Sequence, residues 1–389
     1  MKILYVSILA TPSVIEERRA VDASFSGYAV QKFNRMTVEG LSCCDSEQTV
    51  LSSFTILDKF FWHHPKEYLN GINYQYVPSI NLPFVRQCWI MVYCFFYTII
   101  WGVRNRNEKA LVCDVLNYGA CLGAVSAAKM IKLRRVGIMT DMPGLMVNRD
   151  KKNAMMGIMI KVGSIIFRNY ISKFTHYVFL TQQMNVVNTR HRPYIIMEGM
   201  VNTTVTYESI QKDFPRTILY AGGLHARYGL QMLIDAVKLL PDKDIQLVLY
   251  GDGPIVKELE REEDKRIIYK GTAPNELIVD AERRAVLLVN PRPTHEEFTK
   301  YSFPSKNIEY MASGTPLLTT KLPGMPEEYY PYVYLFKEET KEGYAKAIAE
   351  VLALDSEILN EKGRRASEFV LNEKNNRVQA RRILDLLSR

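Results

Sequence analysis

Between Thr217 and Thr320 the chain repeats one rhythm: a short apolar run closed by a glycine or a polar turn, then a stretch with apolar residues every three or four positions. The runs are TILYAGG (217–223), IQLVLYG (245–251), RIIYKG (266–271), AVLLVNPR (285–292) and TPLLTT (315–320). GLQMLIDAVKLL, GPIVKELERE, NELIVDAERR and PSKNIEYMAS lie between them. Apolar runs this short, without polar alternation, are strands covered on both faces, and the intervening stretches are long enough for crossover helices. Such crossovers bring each strand back parallel to the last, so this part of the chain forms a parallel sheet between helix layers. All its strands end on one rim. The loops AGGLHARYG, YGDGP, KGTAP, NPRPTHEEFTKYSF and TTKLPGMPEE gather there, where open α/β sheets bind ligands.

The first half alternates less regularly. Strands are expected at KILYVSI, KALVCDVL, RVGIMTD and HYVFLT, with a loop over TPSVIEERRAVDASFSGYA and a helix from there to about Leu41. Residues 198–216 carry turn formers and no sustained apolar period, which marks a linker. With 389 residues, 47% of them apolar, the chain can bury two cores. The expected organisation is an α/β domain over 1–197, a second over 198–372, and a C-terminal helix over 373–389 able to pack back on the first. The six cysteines all lie in the first third without metal-type pairing with histidine, and MKILYVSILA lacks a signal-peptide cleavage pattern, so a reducing cytoplasm is expected.

The net charge of +8 suits anionic small molecules, anionic lipid or nucleic acid. No nucleic-acid motif or aromatic-basic strand pattern accompanies it, so no nucleic-acid partner is expected. QCWIMVYCFFYTIIWGV (87–103) falls short of the about 20 apolar residues that a bilayer crossing needs and reads as a buried or membrane-touching helix. KKNAMMGIMIKVGSIIFRNYISKF (151–174) mixes apolar residues with Lys151, Lys152, Lys161, Arg168 and Lys173. That composition fits either a helix lying on an anionic surface or a core helix with solvated lysines.

Chemistry concentrates in FPSKNIEYMASGTPLL (303–318). Pro304 suits the first turn of a helix, leaving the N–H groups of Ser305 and Lys306 pointing outward as an anion site. A cation at a helix start is unfavourable unless an anion is present, so Lys306 itself points to a ligand. Glu309, one turn on, either accepts two hydroxyl hydrogen bonds, as a ribose would offer, or pairs with Lys306 on the surface. Ile308, Met311 and Ala312 form the face that docks the helix. His63 and His64 have no partners at ligand spacing, and no metal is expected.

The ordered set NPR, EEFTKYSFPSKNIEYMASGTPLL, ILYAGGLHARYGLQMLIDA, LVLYGDGP and IIYKGTAP resembles the donor domain of the family 4 glycosyltransferases, and the N-terminal strand agrees. The resemblance implies a GT-B fold, with two Rossmann-like α/β domains facing across a cleft, and retention of anomeric configuration. It further implies that the nucleotide base packs near Tyr269, Lys270 and Gly271, that Gly222 and Gly223 open the donor loop, and that Glu309 meets the ribose. The diphosphate is expected at Phe303, Pro304, Ser305 and Lys306. The chain also departs from the family pattern. Tyr301 stands where the first of two glutamates is usual, and Glu297 or Glu296 is expected to take over its contact with the donor sugar. Gly223 and Tyr228 stand where Arg and Lys are usual, leaving Arg227, Arg292 and Lys306 to stabilise the departing diphosphate. Thr140 and Asp141 stand where a histidine is frequent. Asp141 is expected either to position the acceptor or sugar or to cap the following segment, and Ser26 and Gly27 to let a phosphate or acceptor approach the backbone.

The resulting expectation is a retaining, metal-independent hexosyltransferase with no cofactor beyond its nucleotide-sugar substrate, which is expected to be UDP-linked. The acceptor would be a hydroxyl of a lipid-linked or polysaccharide molecule in bacterial cell-surface polysaccharide assembly. The enzyme would be cytoplasmic and peripheral on the inner face of the plasma membrane, against an anionic surface. The alternatives are a nucleotide-sugar epimerase on the same fold and a non-enzymatic sugar-binding module.

Overall fold

The first unit, Met1–Met197 completed by Asn376–Arg389, is built on β1 (Lys2–Ser7), β2 (Glu47–Ser52), β3 (Phe61–Trp62), β4 (Glu67–Leu69), β5 (Ile72–Tyr76), β6 (Ser79–Ile80), β7 (Lys109–Asp114), β8 (Arg134–Met139), β9 (His176–Phe179) and β10 (Tyr194–Ile196). The computed structural model describes residues 1–22, 25, 28–56, 60–82, 85–106, 108–142, 165–203 and 210–389. Eight strands form one sheet in the order β10-β9-β8-β7-β1-β2-β5-β4, parallel except for β4, while β3 and β6 pair as a small antiparallel ribbon. The chain leaves β1 in one direction across the sheet and β7 in the other. The C-terminal ends of those two neighbours are therefore a switch point, the place where such sheets take ligands.

Two expectations for this unit change. The loop foreseen after β1 holds a helix, α1 (Pro12–Val21), in which only Val14 and Ile15 are buried; with so little apolar surface its charged sequence shows no period. The strands β2 to β6 and β10 were not foreseen. The buried faces of β2 and β5 include Gln48, Ser52 and Gln75, β4 buries no residue, and β3, β6 and β10 are only two or three residues long, so none has the unbroken apolar run that betrays β1, β7, β8 and β9. Next in the chain comes α2 (Tyr28–Ser42), then α3 (Val85–Arg104), which packs one face, Ile90, Cys94, Thr98 and Trp101, on α4 (Tyr118–Met130). Among the described residues no helix is long and apolar enough to cross a membrane. Ser26, Gly27 and most of the basic stretch 151–174 lie outside the described residues. The helix Asn376–Ser388 packs on α2 and beside β9 and β10, where Arg382 donates to the Ile196 carbonyl at 2.8 Å and Arg134 to that of Leu387 at 2.6 Å.

The second unit, Glu198–Asn375, contains β11 (Arg216–Ala221), β12 (Ile245–Tyr250), β13 (Ile267–Tyr269), β14 (Leu287–Asn290), β15 (Leu317–Thr319) and β16 (Tyr334–Leu335). They form a parallel sheet in the order β13-β12-β11-β14-β15-β16, the doubly wound Rossmann order, with its switch point between β11 and β14. Alternation along the strands divides two cores. Ile218, Leu247 and Leu287 face the helices Leu230–Leu239 and Lys341–Leu352, whereas Leu219, Leu288 and Leu317 face Ser305–Ser313 and Ser356–Glu373. Each such side chain contributes about 1.5–3 kcal/mol of burial, which makes this sheet a rigid frame for its loops.

Candidate functional site

At the switch point of the second unit the loops after β11, β12, β13 and β14 meet as their parallel order requires. Two glycines make the contact possible. Gly251 has φ +135°, and a Cβ there would stand 1.8 Å from the Gly222 carbonyl oxygen. At Gly229, φ +79°, a Cβ would stand 2.1 Å from that of Pro291. The loop of β12 is further tied to that of β13, because the Gly251 N–H donates to the Gly271 carbonyl at 2.9 Å and the Tyr269 hydroxyl to that of Gly251 at 3.1 Å.

The helix Ser305–Ser313 begins on this rim behind Pro304. Three bonds fix where its N-terminus points. The buried Tyr310 hydroxyl accepts from the Ala221 N–H at 2.7 Å and donates to the Ala221 carbonyl at 3.1 Å, fastening the helix to the end of β11. Asn290, the last residue of β14, donates to Asn307 Oδ1 at 2.6 Å. Ile308, Met311 and Ala312 are buried as the sequence indicates, but so are Asn307 and Tyr310. Lys306 Nζ lies 3.1 Å from Glu309 Oε2, so these two candidates face each other on the exposed side of the helix.

Arg292 follows β14 and is the most constrained cation here. Its guanidinium lies 4.6 Å from the centre of the Tyr228 ring and 5.5 Å from that of Phe298, and burial pulls its pKa down. Arg227 lies over the Phe298 ring, 4.3 Å from its centre, and pairs with Glu296 at 3.3 Å. Three enclosed polar atoms along this segment have no hydrogen-bond partner: Arg292 Nε, Ser302 Oγ and Asn307 Nδ2.

The remaining candidates fall as follows. Gly222 and Gly223 open the loop after β11, and the Tyr220 hydroxyl donates to the Gly223 carbonyl at 3.0 Å. Lys270 is exposed and Gly271 has φ +72°, beside the β12 loop. Tyr301 closes a short 3-10 turn, its N–H bonded to the Phe298 carbonyl at 2.9 Å. Glu297 is exposed, and it is Glu296 that reaches Arg227. The Phe303 side chain is buried against Tyr329, ring centres 5.0 Å apart, and belongs to the core, leaving its backbone to precede the helix start. One Asp-x-Asp, Asp242-Lys243-Asp244, precedes β12 at the opposite rim, and Asp242 is engaged by Arg216. A groove of about 400 Å³ between β16 and the helix Lys341–Leu352 contains none of the candidates.

In the first unit Asp141 lies just past the end of β8, where burial raises its pKa and Oδ1 accepts from the Met142 N–H at 2.8 Å. A second polar group at the ends of β1 and β5 escaped the sequence reading. Glu67 accepts from the hydroxyls of Thr11 and of Ser13 (2.8 Å) and from His64 at 3.2 Å, and the Tyr76 hydroxyl accepts from the Thr11 N–H at 3.0 Å. Burial pushes the Glu67 carboxyl up, but these bonds outweigh it and leave its pKa lowered. Tyr228, Phe298 and this Glu67 group have no signature in spacing, since each forms only when distant strands become neighbours.

With this geometry in view, residues 215–354 match the family model described as glycosyl transferases group 1. No curated protein sequence matches the chain. Sucrose-phosphate synthase from Thermosynechococcus elongatus superposes with a TM-score of 0.66 at 13% identity, covering 100% of this chain and 99% of that one. The Anabaena protein HepE in complex with UDP gives 0.65 at 14% identity, with 100% of both chains covered. The Escherichia coli trehalose-6-phosphate protein bound with UDP-2-fluoro glucose gives 0.63 at 11% identity, covering 100% and 99%. The chain has the GT-B fold, and its residues 215–354 are similar to the group 1 glycosyl transferases.

Proposed function

We propose that the protein is a retaining, metal-independent glycosyltransferase that moves a hexose from a UDP-linked donor to a hydroxyl of a lipid-linked or polysaccharide acceptor. The carrying observation is the N-terminus of the helix Ser305–Ser313, which begins behind Pro304 with Lys306 in its first turn, on the rim that Arg292 follows at the end of β14. That arrangement suits a diphosphate, which brings several acceptor oxygens and negative charge to a helix start. UDP and UDP-sugars bound to the similar structures support the nucleotide. Glu309 would hold the ribose hydroxyls, and the β12–β13 loops, with Tyr269, Lys270 and Gly271, would border the base.

In the reaction the acceptor oxygen bonds to the anomeric carbon on the face from which the diphosphate leaves. The carbon–oxygen bond to phosphate breaks with its electron pair on the diphosphate, and the acceptor's proton passes to a phosphate oxygen. Arg292 and Lys306, with the helix N-terminus, stabilise the charge gathering on UDP, so no metal or further cofactor is needed. Asp141 would orient the acceptor or sugar. The enzyme would work from the cytoplasm in surface-polysaccharide assembly.

Calorimetric titration with UDP, and then with UDP-hexoses, tests the reading. Micromolar UDP binding that fails in Arg292→Ala is expected, and absence of UDP binding in the wild type overturns it. Sugar isomerisation without acceptor would identify an epimerase instead.

A further inference from the structure

The face of α3 opposite α4 is apolar and uncovered. Val85, Trp89, Val92, Phe96, Ile100 and Val103 follow one another at three or four positions and are all exposed, Phe96 at 59% and Val103 at 69%. At about 1.5 Å per residue the stripe is about 27 Å long. In the whole helix only Arg86 and Arg104, near its ends, are charged, and there is no acid. The patch continues past the N-terminus onto the β3–β6 ribbon, where Phe60 and Phe61 are exposed. Trp89 ties helix and ribbon by donating from Nε1 to the Pro78 carbonyl at 2.7 Å. Tyr93 and Tyr97 flank the stripe, stacked on each other at 6.2 Å.

Exposed apolar surface on this scale marks an interaction site. Its charge setting identifies the partner. The unit that bears it contains 27 Lys and Arg against 13 Asp and Glu, a net +14, whereas the second unit has 23 against 29, a net −6. A second copy docking stripe to stripe would bring two strongly positive units together, while an anionic lipid surface attracts the same charge. Tyrosines beside an apolar face suit the headgroup level. We infer that α3 lies in the plane of an anionic bilayer, its stripe and Phe61 entering the outer acyl region and Arg86 and Arg104 meeting lipid phosphates. With α4 packed along one side, the helix rests on the bilayer and does not cross it.

The experiment uses the full chain without nucleotide, so its outcome is independent of the donor reading. Flotation is measured with vesicles of phosphatidylglycerol and phosphatidylcholine in about equal parts, and with phosphatidylcholine alone, at about 0.1 M and about 1 M salt. The wild type is expected to float with the anionic vesicles, and less at high salt. Joint replacement Val92→Asn, Phe96→Asn and Ile100→Asn is expected to lower vesicle affinity tenfold or more with an unchanged melting temperature. Leu277→Asn, an exposed apolar residue of the second unit, should float as the wild type does. If the triple variant misfolds, fluorescence of the wild type decides. Trp62 and Trp101 are buried, so a blue shift on adding anionic vesicles must come from Trp89, and it should vanish in Trp89→Phe. Undiminished flotation of a folded triple variant, or no blue shift, overturns the inference. So does sedimentation showing a lipid-free dimer that the triple replacement dissociates, which would make the stripe an interface between copies.

Discussion

Arg292→Met is expected to move stability and ligand binding in opposite directions. Its Nε is enclosed and has no partner, and removing such a group recovers about 1–3 kcal/mol of desolvation. The contacts with Tyr228 and Phe298, at 4.6 and 5.5 Å, return about 1 kcal/mol as cation–π attraction, part of which a thioether against the same rings replaces. The unliganded variant should therefore be about 1 kcal/mol more stable than the wild type. The same change deletes a charge-assisted bond to the diphosphate, about 1.5–3 kcal/mol, which weakens UDP binding about 10- to 150-fold. Urea denaturation with and without UDP reads both effects. At about a hundred times the wild-type Kd, UDP should add about 2.7 kcal/mol to the wild type, and about 0.9 kcal/mol to a variant binding thirtyfold more weakly. A variant less stable by more than about 1 kcal/mol that keeps the full UDP increment would refute the reasoning and make Arg292 a structural cation.

Glu309→Ala should cost at most about 0.5 kcal/mol of stability, as expected for a partly exposed pair with Lys306, yet weaken UDP binding about tenfold; calorimetry alongside melting separates the two. Glu296→Gln should lower turnover several-fold, because Glu296 holds Arg227 at 3.3 Å, and steady-state kinetics against the wild type checks this. The folded-state pKa of Glu67 is lowered, so its stabilising contribution is present above the unfolded carboxylate range and is lost as pH falls through the folded value. The stability gap between wild type and Glu67→Gln, followed by denaturation from pH 7 downward, should accordingly narrow below about pH 4.5; a gap that widens contradicts the assignment.

Apolar periodicity belongs to consecutive residues, so the sequence by itself determined the β11-to-β15 rhythm, its parallel sheet, and the helix that starts behind Pro304. It also pointed to Ser305, Lys306 and Glu309, because helix-terminus chemistry is local. Where burial is carried by polar side chains, as in β2 and β5 with Gln48, Ser52 and Gln75, the period vanishes and the strands were not legible. That the Phe303 ring packs on Tyr329 in the core was likewise not legible, because residue type does not say which partner a ring meets. The aromatic clasp on Arg292 was decided only in the tertiary structure. Tyr228 follows β11 and Phe298 follows β14, and those strands adjoin only because the sheet reverses direction between them. The same holds for the Glu67 group, which β1 and β5 assemble from segments more than fifty residues apart. Consecutive spacing encodes which elements form; which side chains meet depends on how strands order themselves, and that is fixed by packing across the whole sheet.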